Sequence, residues 1–154
     1  MTAFGADTAK KRTVRVHEES YREEREMTYY FSKTKKASFE EAVEKVKDEL
    51  KKEGFGILTE IDVKETLNKK LDVDFRKYRI LGACNPPFAY KALQAEDKIG
   101  TMLPCNVIVQ EISEGVIEVA AVDPVASMQA VANPKLASVA SEIQARLRRT
   151  VENI

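Results

Sequence analysis

A chain of 154 residues is long enough for one domain with a hydrophobic core and too short for two ordinary domains. Its 25 basic and 25 acidic residues balance, which disfavours nucleic-acid readers and proteins that bind anionic membranes. No apolar run reaches the roughly 18 residues of a membrane-spanning helix, and the first residues lack the apolar stretch of a signal peptide. We therefore expect a cytoplasmic protein whose Cys84 and Cys105 are reduced thiols.

The first 26 residues differ from the rest of the chain. A basic triplet at residues 10–12 precedes a short alternating piece at residues 13–16. Residues 18–26 are then polar on every side and have little to bury. We predict that residues 1–26 form a charged extension, which packs on a partner or stays mobile, and that residues 27–154 form a single compact domain.

The first half of that domain predicts strands that alternate with helices. The aromatic run at residues 29–31 favours a strand. A capping box that begins at Ser38 opens a helix, whose apolar residues recur at helical spacing up to Gly54. A second strand is predicted at residues 55–61, followed by a short helix that Asp62 caps.

The second half adds a strand, three helices and a hairpin. A third strand is predicted at residues 78–84, and the Pro-Pro pair after it starts a helix. Residues 102–112 and 116–122 form a hairpin around a Ser-Glu-Gly turn. Short and long helices are then predicted to open at Asp123-Pro124 and at Asn133-Pro134. The order β-α-β-α-β-α-β-β-α-α predicts an α+β fold, with a mixed or antiparallel sheet and helices mainly on one face.

Several segments resemble the family known as domain of unknown function 302. They are residues 54–62, 78–86, 99–109, 122–124 and 133–134, and the match runs in register over about residues 27–154. The resemblance implies a compact α+β domain and a homodimer, in a family without an assigned activity. It says nothing about the extension.

Cys84 and Cys105 are the candidate catalytic residues. Cys84 lies two residues before Pro86, near a predicted helix start, where the dipole and free N–H groups stabilise a thiolate. Such a thiol could carry sulfur, bind a soft metal or form a transient disulfide. The alternative, which we favour, is that both cysteines are small core hydrophobes. A disulfide between them requires that their strands be antiparallel, because only then do both thiols lie at the same end of the sheet.

Glu60 and Asp62 flank Ile61 at the end of a predicted strand. Alternation points both carboxylates to one face, where they could shift each other's pKa and act in acid–base chemistry. The alternative, which we favour, is that Asp62 caps the next helix and Glu60 is solvated.

Met102 and Met128 could join the cysteines as soft ligands for Cu(I), but their spacing matches no known metal site and Met commonly fills core gaps. His17 is the single histidine and lies in the extension, which disfavours a zinc site or a His-based triad in one subunit. We therefore predict no metal site. The candidate ligand-binding residues are Glu60, Asp62, Asn85, Met102, Asn106 and Met128.

Two functions remain open. One is a dimeric module that binds a small molecule or a protein partner. The other is a thiol-dependent sulfur carrier or redox protein that acts through Cys84 or Cys105. The balanced charge and the lack of a paired nucleophile and base favour the binding module, and no cofactor follows from the sequence.

Overall fold

The computed structural model describes residues 28–154, so the predicted extension at residues 1–26 lies outside the described residues. The elements in chain order are β1 (Tyr30–Lys36), α1 (Phe39–Lys52), β2 (Gly56–Asp62), α2 (Val63–Leu71), β3 (Tyr78–Cys84), α3 (Pro86–Ala95), a 3-10 helix (Asp97–Met102), β4 (Cys105–Ser113), β5 (Val116–Val122), α4 (Pro124–Ser127) and α5 (Leu136–Glu152). This order confirms the predicted α+β fold, to which the 3-10 helix is an addition. No helix within these residues is long and apolar enough to cross a membrane.

Within residues 28–154, five strands form one sheet in the order β1-β5-β4-β3-β2. Every neighbouring pair is antiparallel, so the sheet is antiparallel rather than mixed, the two types that the sequence left open. Strands β2 to β5 are neighbours in both sequence and space, so each connection reverses the direction of the chain. Strand β1 pairs with β5 and forms one edge of the sheet.

The main core lies between one face of the sheet and the helices α1 and α5. On this core face, Leu81, Val107 and Val119 are at most 1% exposed. Helices α1 and α5 bury Val46 and Leu147 against them. Strand β4 alternates as the sequence predicted, with Cys105, Val107 and Val109 buried and the residues between them more exposed.

The second face of the sheet carries Ile80, Ile108 and Ala120 by the same alternation. These residues are half-buried and belong to neither hydrophobic cluster of the described chain. On the same face Ile61 is 45% exposed and Ile112 is 48% exposed. We call this surface the open sheet face.

Polar caps fix the starts of three helices, as predicted. The Ser38 hydroxyl accepts a hydrogen bond from the Glu41 N–H at 3.3 Å, and Asp62 Oδ1 accepts one from the Glu65 N–H at 2.9 Å. Asp123 Oδ1 accepts from the Val125 N–H at 3.0 Å. These bonds satisfy amide groups that the first turn of a helix leaves unpaired.

The last helix begins at Leu136 rather than at the predicted Asn133-Pro134. The Asn133 side chain accepts a hydrogen bond from the Lys135 N–H at 3.0 Å and donates one to the Ala95 carbonyl at 2.8 Å. Asn133 therefore fastens the turn before α5 to the end of α3. A smaller cluster formed by Ala92, Ile99 and Leu136 lies beside this point, separate from the main core.

Candidate functional site

A pocket opens where the ends of β3 and β4 meet α3, α4 and α5. Its free space is about 30 Å³, roughly the volume of one water molecule. The residues that line it are Phe55, Ala83, Cys84, Asn85, Phe88, Ala89, Ala92, Leu103, Pro104, Cys105, Pro124, Met128, Val139, Ala140 and Ile143. We call it the sheet-end pocket. It joins residues of the main core to Ala92 of the smaller cluster.

Among the described residues that line the sheet-end pocket, none is charged. This lining stands out because 32% of the whole chain is Asp, Glu, Lys or Arg. Asn85 supplies the single side-chain amide of the lining. Its Nδ2 donates to the Glu53 carbonyl at 3.2 Å, and only 6% of the residue is exposed. The pocket is thus an apolar site with few polar groups.

The Cys105 thiol lies in this lining and belongs to the main core, with 8% of the residue exposed. Burial, together with the nearby Cys84, raises the pKa of Cys105 from 9.0 to about 11. The thiol is therefore protonated at neutral pH, because the charged form would lose its hydration. A thiol in that state is a weak nucleophile.

Cys84 borders the same pocket where β3 gives way to α3, and it is half-buried. Ala83 is the cross-strand partner of Cys105, so alternation directs the Cys84 side chain to the opposite face of the sheet. The antiparallel strands do bring both cysteines to one end of the sheet. Both are free thiols in the structure.

The expected helix-terminus environment of Cys84 differs from what the structure provides. Helix α3 begins with Pro86 and Pro87, which carry no backbone N–H. The Ala89 N–H is bonded to the Asn85 carbonyl at 2.9 Å. In the first helical turn this leaves the Phe88 N–H as the remaining amide donor. Cys84 does lie just before a helix start, but of the free N–H groups expected there the two prolines remove two.

A second space, which we call the outer groove, lies between the α4–α5 connection and α5. Its free space is about 200 Å³. Its described lining is also free of charged residues and consists of Val125, Met128, Gln129, Val131, Asn133, Leu136, Ala137, Ala140 and Ser141. Met128 and Ala140 line both the outer groove and the sheet-end pocket.

The ligand-binding residues that the sequence predicted lie in separate parts of the structure. Asn85 and Met128 line the sheet-end pocket together with the cysteines. Met102 packs against the smaller cluster instead, so three of the four candidate sulfur residues border the pocket, and of these the Cys84 side chain is directed to the other face of the sheet. Asn106 is exposed and pairs with Gly82 in the ladder, which places it on the open sheet face. Within residues 28–154, no group of three or more His, Cys, Asp or Glu side chains is placed to hold a metal.

Glu60 and Asp62 lie at the opposite end of β2, in a salt-bridge network around Arg79. The Arg79 guanidinium is 3.3 Å from Glu40, 3.3 Å from Glu60 and 3.6 Å from Asp62. Lys47 is 2.8 Å from the other Glu60 oxygen, and this hydrogen bond is the main cause that raises the pKa of Lys47. The two carboxylates do share a face, and Asp62 does cap α2. Cations surround both, so Glu60 is paired rather than simply solvated.

Sequence reasoning missed the helical part of the sheet-end pocket, including Phe88, Ala140 and Ile143. Each belongs to an apolar stripe that predicts core packing and nothing more. The Arg146 guanidinium carbon lies over the Phe88 ring, 5.2 Å from its centre. The pocket appears only once three helices are packed against the ends of two strands.

The family model for "Domain of unknown function DUF302" matches residues 31–154. The chain belongs to this family. The crystal structure of an uncharacterized conserved DUF302 protein from Bacillus stearothermophilus is similar to it, with a TM-score of 0.75 and 28% sequence identity. That alignment covers 82% of this chain and 98% of the other. No curated protein matches the chain. The sequence-based resemblance to DUF302 is confirmed, and membership gives the fold without an activity.

Proposed function

We propose that this DUF302 protein is a binding module that takes a small uncharged ligand at the sheet-end pocket. The observation that carries the proposal is the absence of charge among the described residues that line the pocket, in a chain that is 32% charged. A charged ligand would lose its hydration there without gaining an ionic partner. An apolar ligand would lose contact with water and gain contact with Phe55, Phe88 and Ile143.

The alternative, a sulfur carrier or redox protein that acts through a thiol, has less support. Cys105 is protonated at neutral pH because its pKa is raised to about 11. Cys84 lies beside a helix start in which two prolines remove amide donors. A cytoplasmic location, in which both thiols would stay reduced, is part of this proposal. We therefore treat Cys105 as part of the apolar wall and Cys84 as a residue at the rim of the pocket.

The proposal is tested by isothermal titration of the full chain with three six-carbon probes. Hexan-1-ol is neutral, hexanoate is an anion and hexylammonium is a cation at neutral pH. We expect saturable binding of hexan-1-ol, with both ions at least about tenfold weaker, a difference of about 1.4 kcal/mol. Equal affinities for the three probes, or no binding of hexan-1-ol, would overturn the proposal.

A matched pair of variants on α3 locates the binding. Ala89 lines the sheet-end pocket, whereas Gln94 is exposed and does not. Ala89→Leu fills the pocket and should abolish hexan-1-ol binding. Gln94→Leu adds the same side chain to the same helix and should leave binding unchanged. Thermal unfolding of both variants verifies that the fold is intact.

We further propose that the binding module is a homodimer in which the open sheet faces pack together. Ile80, Ile108 and Ala120 give this face an apolar centre. Glu118 on β5 accepts a hydrogen bond from Gln110, which in turn accepts one from Arg76, so this carboxylate already has a hydrogen-bond donor within the chain. An apolar face is complementary to a second copy of itself.

Sedimentation velocity measures the oligomeric state directly. We expect a dimer for the unaltered chain and a monomer for Ile108→Lys, which places a charge in the centre of the face. Tyr90→Lys is the control, because Tyr90 is 65% exposed on α3, away from the sheet. A monomeric unaltered chain at micromolar concentration would exclude this dimer.

A further inference from the structure

In this structure, neither space at the end of the sheet has by itself the free volume of a usual small-molecule site. The sheet-end pocket has about 30 Å³ of free space and the outer groove about 200 Å³. Small-molecule sites usually have roughly 300 to 1,000 Å³. The two spaces approach this range only when they are joined and the volume now filled by the side chain between them is added.

We propose that the sheet-end pocket and the outer groove are two halves of one ligand site, separated by the movable side chain of Met128. The ligand class is an uncharged amphiphile, with an apolar chain in the sheet-end pocket and a hydroxyl or amide head in the outer groove. This inference rests on the proposed function and names the ligand class and the entry route.

Met128 is the movable part of the wall because its side chain is flexible and its backbone is held. Methionine is unbranched and has three side-chain torsions, and Met128 is only half-buried. Its N–H donates to the Pro124 carbonyl at 3.1 Å. Ala140, the other residue common to both spaces, lies inside α5, is 6% exposed and has no side-chain torsion of this kind.

The surrounding backbone is anchored on both sides of Met128. Asp123 Oδ1 accepts a hydrogen bond from the Gln144 side chain at 3.0 Å, which ties the start of α4 to α5. Asn133 is bonded to the Ala95 carbonyl, which ties the connection to α3. These anchors favour a side-chain rotation over a displacement of the segment.

The polar head is assigned to the outer groove by the residues that line it. Gln129 and Ser141 supply an amide and a hydroxyl there, both on exposed residues. The Asn133 side chain already donates a hydrogen bond to the Ala95 carbonyl and accepts one from the Lys135 N–H. With no charged residue in this described lining, an ionic head would gain no salt bridge.

The test compares hexan-1-ol binding among variants of two methionines. Met128→Ala removes the side chain that separates the two spaces. It should tighten binding at least about threefold, because a form in which Met128 closes the site no longer reduces the fraction of molecules able to bind. Met128→Ile stiffens the wall through its branched side chain and should weaken binding about threefold or more. Met102→Ala and Met102→Ile are the controls and should leave affinity unchanged, because Met102 packs against the same smaller cluster as Met128 without lining either space.

Ala137→Leu provides a second measurement, since Ala137 is exposed and lines the outer groove alone. Blocking the groove should weaken hexan-1-ol binding about tenfold, or about 1.4 kcal/mol. If hexan-1-ol binds the unaltered chain while the Met128 and Ala137 variants keep its affinity, the bipartite site is wrong, and the Ala89→Leu variant decides whether the sheet-end pocket binds the probe without the outer groove. If the unaltered chain does not bind hexan-1-ol, the proposed function itself fails.

Discussion

Raising the pH should destabilise the fold through the buried Cys105 thiol. Its pKa is raised from 9.0 to about 11, so the unfolded chain loses this proton first as the pH rises. The contribution to stability is complete below about pH 9 and is lost between about pH 9 and pH 11. Each pKa unit corresponds to about 1.4 kcal/mol, so we expect a loss of about 2 kcal/mol by about pH 10.5 and roughly 3 kcal/mol at higher pH.

Urea unfolding in the presence of a reductant measures this loss at a series of pH values. Lysines and tyrosines also titrate in this range, so the informative quantity is the difference between the unaltered chain and Cys105→Ala. We expect that difference to shrink by about 2 kcal/mol between about pH 7 and pH 10.5. Val107→Ala, a truncation of a non-ionisable core residue on the same strand, is the control and should keep the pH dependence of the unaltered chain. Parallel curves for the unaltered chain and Cys105→Ala would refute a buried neutral thiol.

Three further predictions concern packing and charge away from the pocket. Gly82→Ala should cost about 1 to 3 kcal/mol in urea unfolding, because its methyl group would overlap the Thr59 hydroxyl oxygen, and Thr59→Ala should restore part of the loss. Hydrogen bonds, of which the one from Lys52 has the largest effect, lower the pKa of Glu49 in the folded chain. The stability that Glu49 contributes is therefore present above about pH 4.3, the ordinary pKa of a glutamate, and is lost as the pH falls. Glu49→Gln should therefore flatten the acid dependence of the urea midpoint, and an unchanged slope would contradict this. Arg79→Leu should cost about 1 to 2 kcal/mol, because three carboxylates lose their shared cation, and a high-salt buffer should reduce the loss.

Local signals in the sequence predicted most of the fold. Ser38 and Asp62 identify helix starts because their side chains satisfy nearby amide groups. The alternation in β4 identifies its buried face because successive side chains point to opposite sides. Such features depend on residues close together in the chain, so one sequence is enough to find them. The start of α5 was misplaced because Asn133 bonds to Ala95, a distant residue.

The candidate site was only partly predictable, because it depends on how distant elements pack. Met102 and Met128 are equivalent by residue type, yet only Met128 reaches the pocket. Cys105 and Cys84 were distinguished by the strand register, which places them on opposite faces. The outer groove exists because Asn133 fixes the connection between α4 and α5 against α3. No local pattern encodes that contact.

The central claim is that an uncharged ligand occupies the sheet-end pocket. Intermolecular nuclear Overhauser effects between hexan-1-ol and a ¹³C-labelled chain test it most directly, because they identify the side chains that the probe contacts. We predict contacts from the apolar chain of hexan-1-ol to Phe88 and Ile143, both of which line the pocket. Contacts confined to Ile108 on the open sheet face, with none to Phe88 or Ile143, would contradict the account.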